Sequence, residues 1–409
     1  MTIHYPFPVI RHIDDVLSAV EGRPEFIVVK KDYGLTIINY AYQDHDTFPP
    51  VVDKKTAILR ECRGIVFDTV SGRILNRRYH KFFNLGEKSD SVVDVGREHC
   101  VLDKLDGSMI SPCYIDGGIR WISKMGLTDV SMQAETYVAD NETYVANNKT
   151  YISNKLNYID LARVCLARGK TPIFEWLSRQ QRIVLDYGKE DQLVLLAIRD
   201  NTTGNYCTRG DVERLGHDWG IPVVQATSPS ITNIDQFLSD LRQKENTEGV
   251  VIAFADGHMV KVKTDWYVQL HRAKDKISRE RHLIALIIED KLDDLLPVLP
   301  LDDRERVEQF ASWVHQDIKT FGSAVYNVMD MVRKEGWDRK SFALRSDGLY
   351  HPPIRSACFT LFDASIEDIR ALAVDWGKTF VLRNLGNTAL EKARQVLLTA
   401  RWDGKVVEE

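Results

Sequence analysis

Residues 101–110 read VLDKLDGSMI, a lysine set in an aspartate-bearing turn between two β-like runs. The apolar flanks predict two strands, and Asp106-Gly107 supplies turn chemistry between them. At a hairpin tip a lysine is ordinarily a solvated charge, but facing a ligand it can be a nucleophile. A chain of this length matches K-x-D-G by accident roughly one time in ten at average residue usage. The reading therefore depends on what surrounds the turn.

Outward from it, residues 25 to 270 hold short β-branched runs: EFIVV, LTIINYAY, GIVFD, RILN, MISPCYI and IRWIS, punctuated by TVSG and DGG. This spacing predicts antiparallel hairpins, with helical stretches over 155–168 and 233–244 between them. After about residue 275 apolar residues recur at three and four spacing with charged faces, as in ERHLIALIIEDKLDDLL and DDRERVEQFASWVHQDIKTF. The expected fold class is α/β of the α+β kind. A domain of antiparallel sheets with flanking helices spans 1–275, and an all-helical domain spans 276–409.

The 409 residues are 44% apolar and 28% charged, enough for two or three cored domains. No run approaches a membrane span, and the N-terminus lacks a basic-then-apolar signal, which predicts a soluble cytoplasmic protein with no membrane partner. Six cysteines without a C-x-x-C suggest reduced structural thiols. A net charge of −5 argues against bulk coating of nucleic acid. Residues 60–88, however, carry Arg60, Arg63, Arg73, Arg77, Arg78, Lys81 and Lys88 against Glu61, Asp68 and Glu87, with Tyr79, Phe82 and Phe83 interleaved. That mixture suits a phosphate-bearing ligand with a base to stack, or else a solvated strand edge. Tyr137, Tyr144, Tyr151 and Tyr158 recur every seven residues, which on one helix makes a stripe: a duplicated surface helix, or an aromatic rail for RNA.

A second informative stretch is TEGVVIAFADGHMVKVK at 247–263, where Asp256-Gly257 reads as a two-residue hairpin turn. That turn would place Glu248, Val250, Ile252, Lys261 and Lys263 on one face and Val251, Ala253, Val260 and Val262 on the other. Two lysines on one wet face repel, and a polyanionic ligand explains them better than stability does.

In chain order the sequence thus offers Arg63 in ECRGIVFD, Lys104 in KLDG, Glu175 in FEW, Glu248 in EGVV, and Lys261 and Lys263 in KVK. This ordered set resembles the covalent nucleotidyltransferases, namely ATP-dependent RNA and DNA ligases and mRNA capping enzymes. HKFFNLGE at 80–87, RIVLDY and LVLLAIRDNTTGNY within 182–206, and KVKTDWYVQLH at 261–271 resemble the T4-type phage RNA ligase 1 family, the tRNA-repair branch. IIEDKLDDL at 287–295 and GWDRKSFAL at 336–344 are similar to parts of that family's helical C-terminal domain, while the first thirty residues and the tyrosine repeat match poorly.

The resemblance implies three steps: Lys104 takes AMP from ATP, the AMP passes to an RNA 5′-phosphate, and a 3′-hydroxyl displaces it. A free lysine, with a pKa near about 10.4, is protonated at neutral pH, so Lys261, Lys263 and a bound metal are implied as the cations that activate it and clamp the phosphates. It further implies nucleotide contacts from Tyr40, Arg63, Lys81, Phe83, Lys124, Glu175, Glu248 and Val250, the last against adenine. Mg2+ or Mn2+ would draw on Asp106, Glu248 and Asp293. The implied partner is RNA with 3′-OH and 5′-phosphate ends, in particular a tRNA nicked in its anticodon loop, with an end-healing kinase/phosphatase acting upstream. Two other classes use some of the same residues: a GTP-using capping guanylyltransferase, and a non-catalytic RNA-binding module. The first would normally carry an oligonucleotide-binding barrel after KVK, where this sequence turns helical.

Overall fold

The computed structural model describes residues 7–147, 157–178, 185, 190–228, 231–386 and 390–404, with backbone alone over 142–147. Two compact units divide the chain, Met1–Val268 and Gln269–Glu409. The first is a mixed α+β body, and the second is helical among its described residues.

Strands β1 (Phe26–Lys30), β2 (Leu35–Tyr40), β3 (Arg63–Asp68) and β4 (Ile74–Asn76) form an antiparallel sheet in that order. Its alternation is strict. Ile38, Ile65 and Phe67 pack with residues of α1 (Asp14–Val20) and α2 (Lys54–Glu61), while Leu35, Ile37 and Val66 pack with Cys113, Ile115 and Ile122 of the second sheet. α2 starts cleanly because Asp53 accepts the Thr56 N–H at 2.8 Å and Thr56 Oγ1 accepts the Asp53 N–H at 3.1 Å.

The third sheet takes β5 (Phe83–Asn84), β6 (His99–Asp103), β11 (Ala226–Ser228), β12 (Gly249–Phe254) and β13 (Met259–Lys263). The second sheet runs β10-β9-β7-β8, with β7 (Ser108–Ile115), β8 (Gly118–Ile122), β9 (Lys170–Leu177) and β10 (Gln192–Asp200). Asp116 and Gly117, at φ 51° and 78°, make the two-residue turn whose twist suits the β7–β8 hairpin. One face of this second sheet, with Ile110, Phe174, Trp176 and Leu195, is covered by α3 (Asp129–Asn147), α4 (Tyr158–Ala167) and α5 (Arg209–Asp218). The outer face of the third sheet, with Val101, Val250, Ile252, Val260 and Val262, is covered by α6 (Ile234–Arg242). Between the two sheets, Leu102 and Ala253 meet Leu177 and Val194. The unit is therefore layered helix, sheet, sheet, helix, and the inter-sheet layer is where the K-x-D-G turn lies.

The second unit continues α7 (Asp265–Ser278) into α8 (Glu280–Ile288), α9 (Leu301–Lys334), α10 (Arg339–Arg345), α11 (Pro352–Thr360), α12 (Ile366–Arg383) and α13 (Leu390–Ala393). Ile284, Ile287, Val307, Phe310, Phe342 and Ile369 share one core. Gly322 lets α12 close on α9, since a Cβ there would stand 2.7 Å from Val374. Among the described residues no helix is long and apolar enough to cross a membrane.

Three expectations are corrected. The 247–263 hairpin turns in three residues, not two: Phe254 N–H donates to His258 O at 2.9 Å, and Gly257 sits at φ 92°. Three-residue loops of this kind end on a left-handed residue, which glycine supplies. The extra residue flips one strand's faces, so Val250 pairs Val262 and Val251 pairs Lys261. Val250 and Ile252 consequently lie buried with Val260 and Val262, not beside the lysines, and Val251 and Ala253 take the lysine face. Second, the tyrosines make no single stripe. Tyr137 on α3 and Tyr158 at the start of α4 pack into one core with Trp176; Tyr151 and the Tyr144 side chain lie outside the described residues. Third, the basic stretch is largely internal. Arg60, Arg77 and Arg78 are buried, with Arg60 on Asp90 and Arg77 on Glu61, the same carboxylate that Arg199 grips at 2.7 Å.

Candidate active site

Two glycines bring the strands close enough to build the site. A Cβ on Gly107 would stand 2.3 Å from Trp176 O on β9, and one on Gly249, at φ 141°, 2.0 Å from Val262 O on β13. Larger residues would push the K-x-D-G turn off β9 and the E-G pair off β13. Lys104 N–H donates to Gly249 O at 2.9 Å, locking the first motif to the second.

Side chains converge accordingly. Glu248, only 2% exposed, lies between two ammonium groups: Lys104 Nζ at 2.6 Å from Oε2 and Lys263 Nζ at 3.1 Å from Oε1. Lys263 also rests over the Tyr267 ring, 4.8 Å from its centroid, and the Tyr267 hydroxyl donates to Asp106 Oδ1 at 2.7 Å. Asp106 Oδ2 accepts the Leu185 N–H at 2.9 Å. Glu175 stands on β9 opposite Met109, pointing away from the helices that its neighbours Phe174 and Trp176 pack against. It keeps a partly exposed edge but is ringed by protein. Burial pushes its carboxyl up to about 8, with Glu248 and Asp106 adding to the shift and Lys104 and Arg63 opposing it. Burial also brings the Lys261 ammonium down to about 7, helped by repulsion from Lys81, Arg63 and Lys104 and opposed by Glu87.

A cationic and aromatic group adjoins these residues. Lys81 Nζ sits 4.8 Å from the Tyr40 ring centroid and 5.6 Å from that of Phe83, and it donates to Tyr40 Oη at 3.5 Å. Burial would raise the Tyr40 phenol, but the charges of Lys81, Arg63 and Lys124 together lower it. Phe83 is buried, with Arg60 5.0 Å over its ring, so it supports Lys81 from below. Lys124 occupies a tight turn closed by Ser123 N–H to Gly126 O at 2.9 Å.

Of the residues singled out in the sequence, Lys104, Asp106, Glu175, Glu248, Lys261 and Lys263 come together, and Lys81 meets Tyr40, whose phenol the charges of Arg63 and Lys124 also lower. Val250 faces the α6 core instead. Asp293 is exposed in a turn of the second unit. Two residues were missed. Tyr267, inside KVKTDWYVQLH but not singled out there, joins Asp106 to Lys263; its signal was its place four residues after Lys263, in the first turn of α7. Val251 takes the lysine face, and only the true loop length would have revealed it. No group of three His, Cys, Asp or Glu side chains is placed to hold a metal among the described residues.

The profile of the RNA ligase family of T4 type matches residues 61–267, half of the chain. RNA ligase 1 of bacteriophage TS2126 is 26% identical over 347 residues, covering 80% of each chain. A candidate RNA ligase of Thermovibrio ammonificans is 28% identical over 293 residues, covering 69% of this chain and 70% of its own. A candidate bifunctional polynucleotide kinase/RNA ligase of Autographa californica nuclear polyhedrosis virus is 23% identical, and this chain spans 38% of its length. Among solved structures, an archaeal ATP-dependent RNA ligase aligns over 92% of this chain and 77% of its own with a TM-score of 0.43 and 11% identity. A Naegleria gruberi RNA ligase with ATP and manganese aligns over 43% of this chain and 52% of its own, with a TM-score of 0.33 and 18% identity. The chain belongs to the T4-type RNA ligase 1 family, the ATP-dependent RNA ligases.

Proposed function

We propose that this chain seals RNA 3′-hydroxyl and 5′-phosphate ends through a Lys104–AMP and then an adenylated RNA, repairing tRNA nicked in the anticodon loop. The observation that carries the reading is the Lys104–Glu248–Lys263 row, with Lys261 on the same hairpin face as Lys263. In the first step Lys104 releases its ammonium proton to solvent, its nitrogen lone pair attacks the α-phosphorus of ATP, and the bond to the bridging oxygen breaks as pyrophosphate leaves with that electron pair. Glu248 orients Lys104. Lys261 and Lys263 meet the phosphates, where fixed cations stabilise developing charge without reorganisation. Tyr40, Arg63, Lys81 and Lys124 form the anion-binding side of the site, and Val251 offers the flat apolar contact to adenine. Glu175, neutral near pH 7 at its raised value, can donate a hydrogen bond to a ribose oxygen.

Both oxygens of Asp106 and of Glu248 already accept from protein donors. That donor set would suit Mg2+ or Mn2+, with Asp106 and Glu248 as the residues that would hold it through water; Asp293, on the second unit, is kept only as what the family resemblance implies. Such an ion supplies neutralisation of phosphate charge. The helical second unit is assigned to selecting the RNA, in line with the GWDRKSFAL resemblance. The kinase/ligase name of the viral relative supports an end-healing activity upstream.

Incubation with α-labelled ATP or GTP tests the reading. Label from ATP alone should appear on the protein and be absent from Lys104→Ala, which keeps the wild-type fold because Lys263 still pairs with Glu248. Label from GTP would turn the assignment to capping, and absence of label from wild type would leave an RNA-binding module.

A further inference from the structure

Arg78 is an arginine that stability alone does not explain. It is 2% exposed and, among the described residues, has no carboxylate within ion-pair reach, unlike its neighbour Arg77 on Glu61. Burial of an unpaired guanidinium is costly, and apolar replacements of buried charges are often neutral or stabilising. The fork instead spends its donors on neutral acceptors in three strands. Nε donates to Ser111 Oγ on β7 at 2.7 Å, Nη1 to Gly64 O on β3, and Nη2 to Ile122 O at the end of β8 at 3.4 Å. The Ser111 hydroxyl in turn donates to Asn76 Oδ1 at 3.2 Å, so the acceptor is itself held. Arg78 therefore fastens the first sheet to the second.

What it fastens matters to the site. Gly64 follows Arg63, and Ile122 lies two residues before Lys124. Gly64, at φ 77°, lets the Lys124 turn close on β3, for a Cβ there would stand 2.6 Å from Lys124 O and 2.8 Å from Arg78 Nη1. Arg63 opens β3 of the first sheet and Lys124 lies in the turn after β8 of the second, and the charge of each lowers the Tyr40 phenol. Their separation is set by the carbonyls that Arg78 grips. A lysine carries its three donors on one nitrogen, whereas the planar fork meets the three acceptors with three separate nitrogens.

We propose that Arg78 is a positioning residue for nucleotide capture, holding Arg63 and Lys124 at a fixed separation by bolting β3 to β7 and β8. The assignment rests on the reading of Arg63 and Lys124 as nucleotide contacts. Misplacement of a binding group by a fraction of an ångström is enough to cost an order of magnitude in rate or affinity.

The test measures single-turnover adenylylation against ATP concentration for wild type, Arg78→Met and Arg78→Lys, with the melting temperature of each. The expected result is a half-saturating ATP concentration raised about tenfold in both variants, at a melting temperature within a few degrees of wild type. The same Arg78→Met change is then placed in an Arg63→Ala, Lys124→Ala background. Positioning through those two residues predicts little further loss there, whereas a general structural role predicts the same factor again. A repeated factor, a loss that vanishes on cooling, or wild-type ATP dependence in Arg78→Met overturns the proposal. If Arg78→Met does not fold, Ser111→Ala, which removes one acceptor, carries the same comparison. Arg63→Ala, Lys124→Ala protein with wild-type ATP dependence would instead overturn the site reading, and the Arg78 proposal with it.

Discussion

The register of the 247–263 hairpin decides which valine meets the nucleotide, and truncating each valine separates the alternatives. Val250 is 4% exposed and packs among Val101, Ile252, Val260 and Leu241, while Val251 lies on the face of Lys261 and Lys263. Val250→Ala removes the equivalent of two methylene groups from water-free packing, about 1.6 kcal/mol at about 0.8 each, and leaves a small cavity, for a total of about 2–3 kcal/mol. In a domain of roughly this size 1 kcal/mol moves the melting temperature by about 2–4 °C, so Val250→Ala should melt about 5–10 °C early. Val251→Ala gives up less burial and should melt within about 3 °C of wild type, but loss of about 1 kcal/mol of contact to the base raises the half-saturating ATP concentration about fivefold. Scanning fluorimetry and ATP titration of adenylylation read the two effects separately. Val250→Ala with weakened ATP use and unchanged melting, beside Val251→Ala with the reverse, would restore the two-residue turn and refute the register.

Lys261 sits at about 7, below the usual lysine value, so the unfolded chain holds that proton more tightly; the stability cost is full below about pH 7 and fades as pH rises towards 10.4. Lys261→Met should therefore raise the melting temperature most near pH 6 and progressively less towards pH 10, and a gain that is flat with pH would count against the burial argument. ATP phosphates beside Lys261 should draw a proton onto it, so calorimetry at pH 8 in two buffers of different ionisation enthalpy should register proton uptake by wild type and none by Lys261→Met. Cutting the chain at 300 would strip Ile284, Ile287 and Ile288 of the α9 residues Val307, Phe310 and Val314, whereas ending at Ser278 leaves only Ala273 and Ile277 of that core behind. The fragment ending at 278, once circular dichroism finds it folded, should adenylylate itself but lose preference for nicked tRNA over a linear strand; full preference would remove the selecting role from the second unit.

The two motifs of the candidate site were legible because backbone geometry wrote them. Gly107 and Gly249 stand where strand backbones leave no room for a Cβ, so K-x-D-G and E-G keep their spelling for reasons a reader of sequence can anticipate. The Asp116-Gly117 hairpin was legible for the same local reason. Asp256-Gly257 misled because a glycine in the left-handed region closes a two-residue and a three-residue loop equally well, and only the contacts around the tip choose between them: Phe7 stands over Gly257 there, and Arg97 pairs with Asp256. The parity of a whole strand hung on that choice.

The buried arginines show a different limit. Arg77 and Arg78 look alike in the sequence, two cations beside HKFF, and both read as a face for phosphates. Arg77 shares Glu61 with Arg199, which lies 138 positions beyond that glutamate; burial would raise the carboxyl, but the two guanidiniums hold it down at about 2. Arg78 is neutralised by nothing acidic and is spread over carbonyls of two sheets. No pattern of charge along a chain distinguishes a cation that meets a ligand from one that aligns the residues that do, because the difference lies in acceptors brought together only by the fold. Lys81, three residues further on, keeps its ammonium among Tyr40, Phe48 and Phe83 in the site. On the proposed reading the phosphate-facing charge and its scaffolding are interleaved within five residues, and substituting each separately, with ATP dependence and melting read together, is what tells them apart.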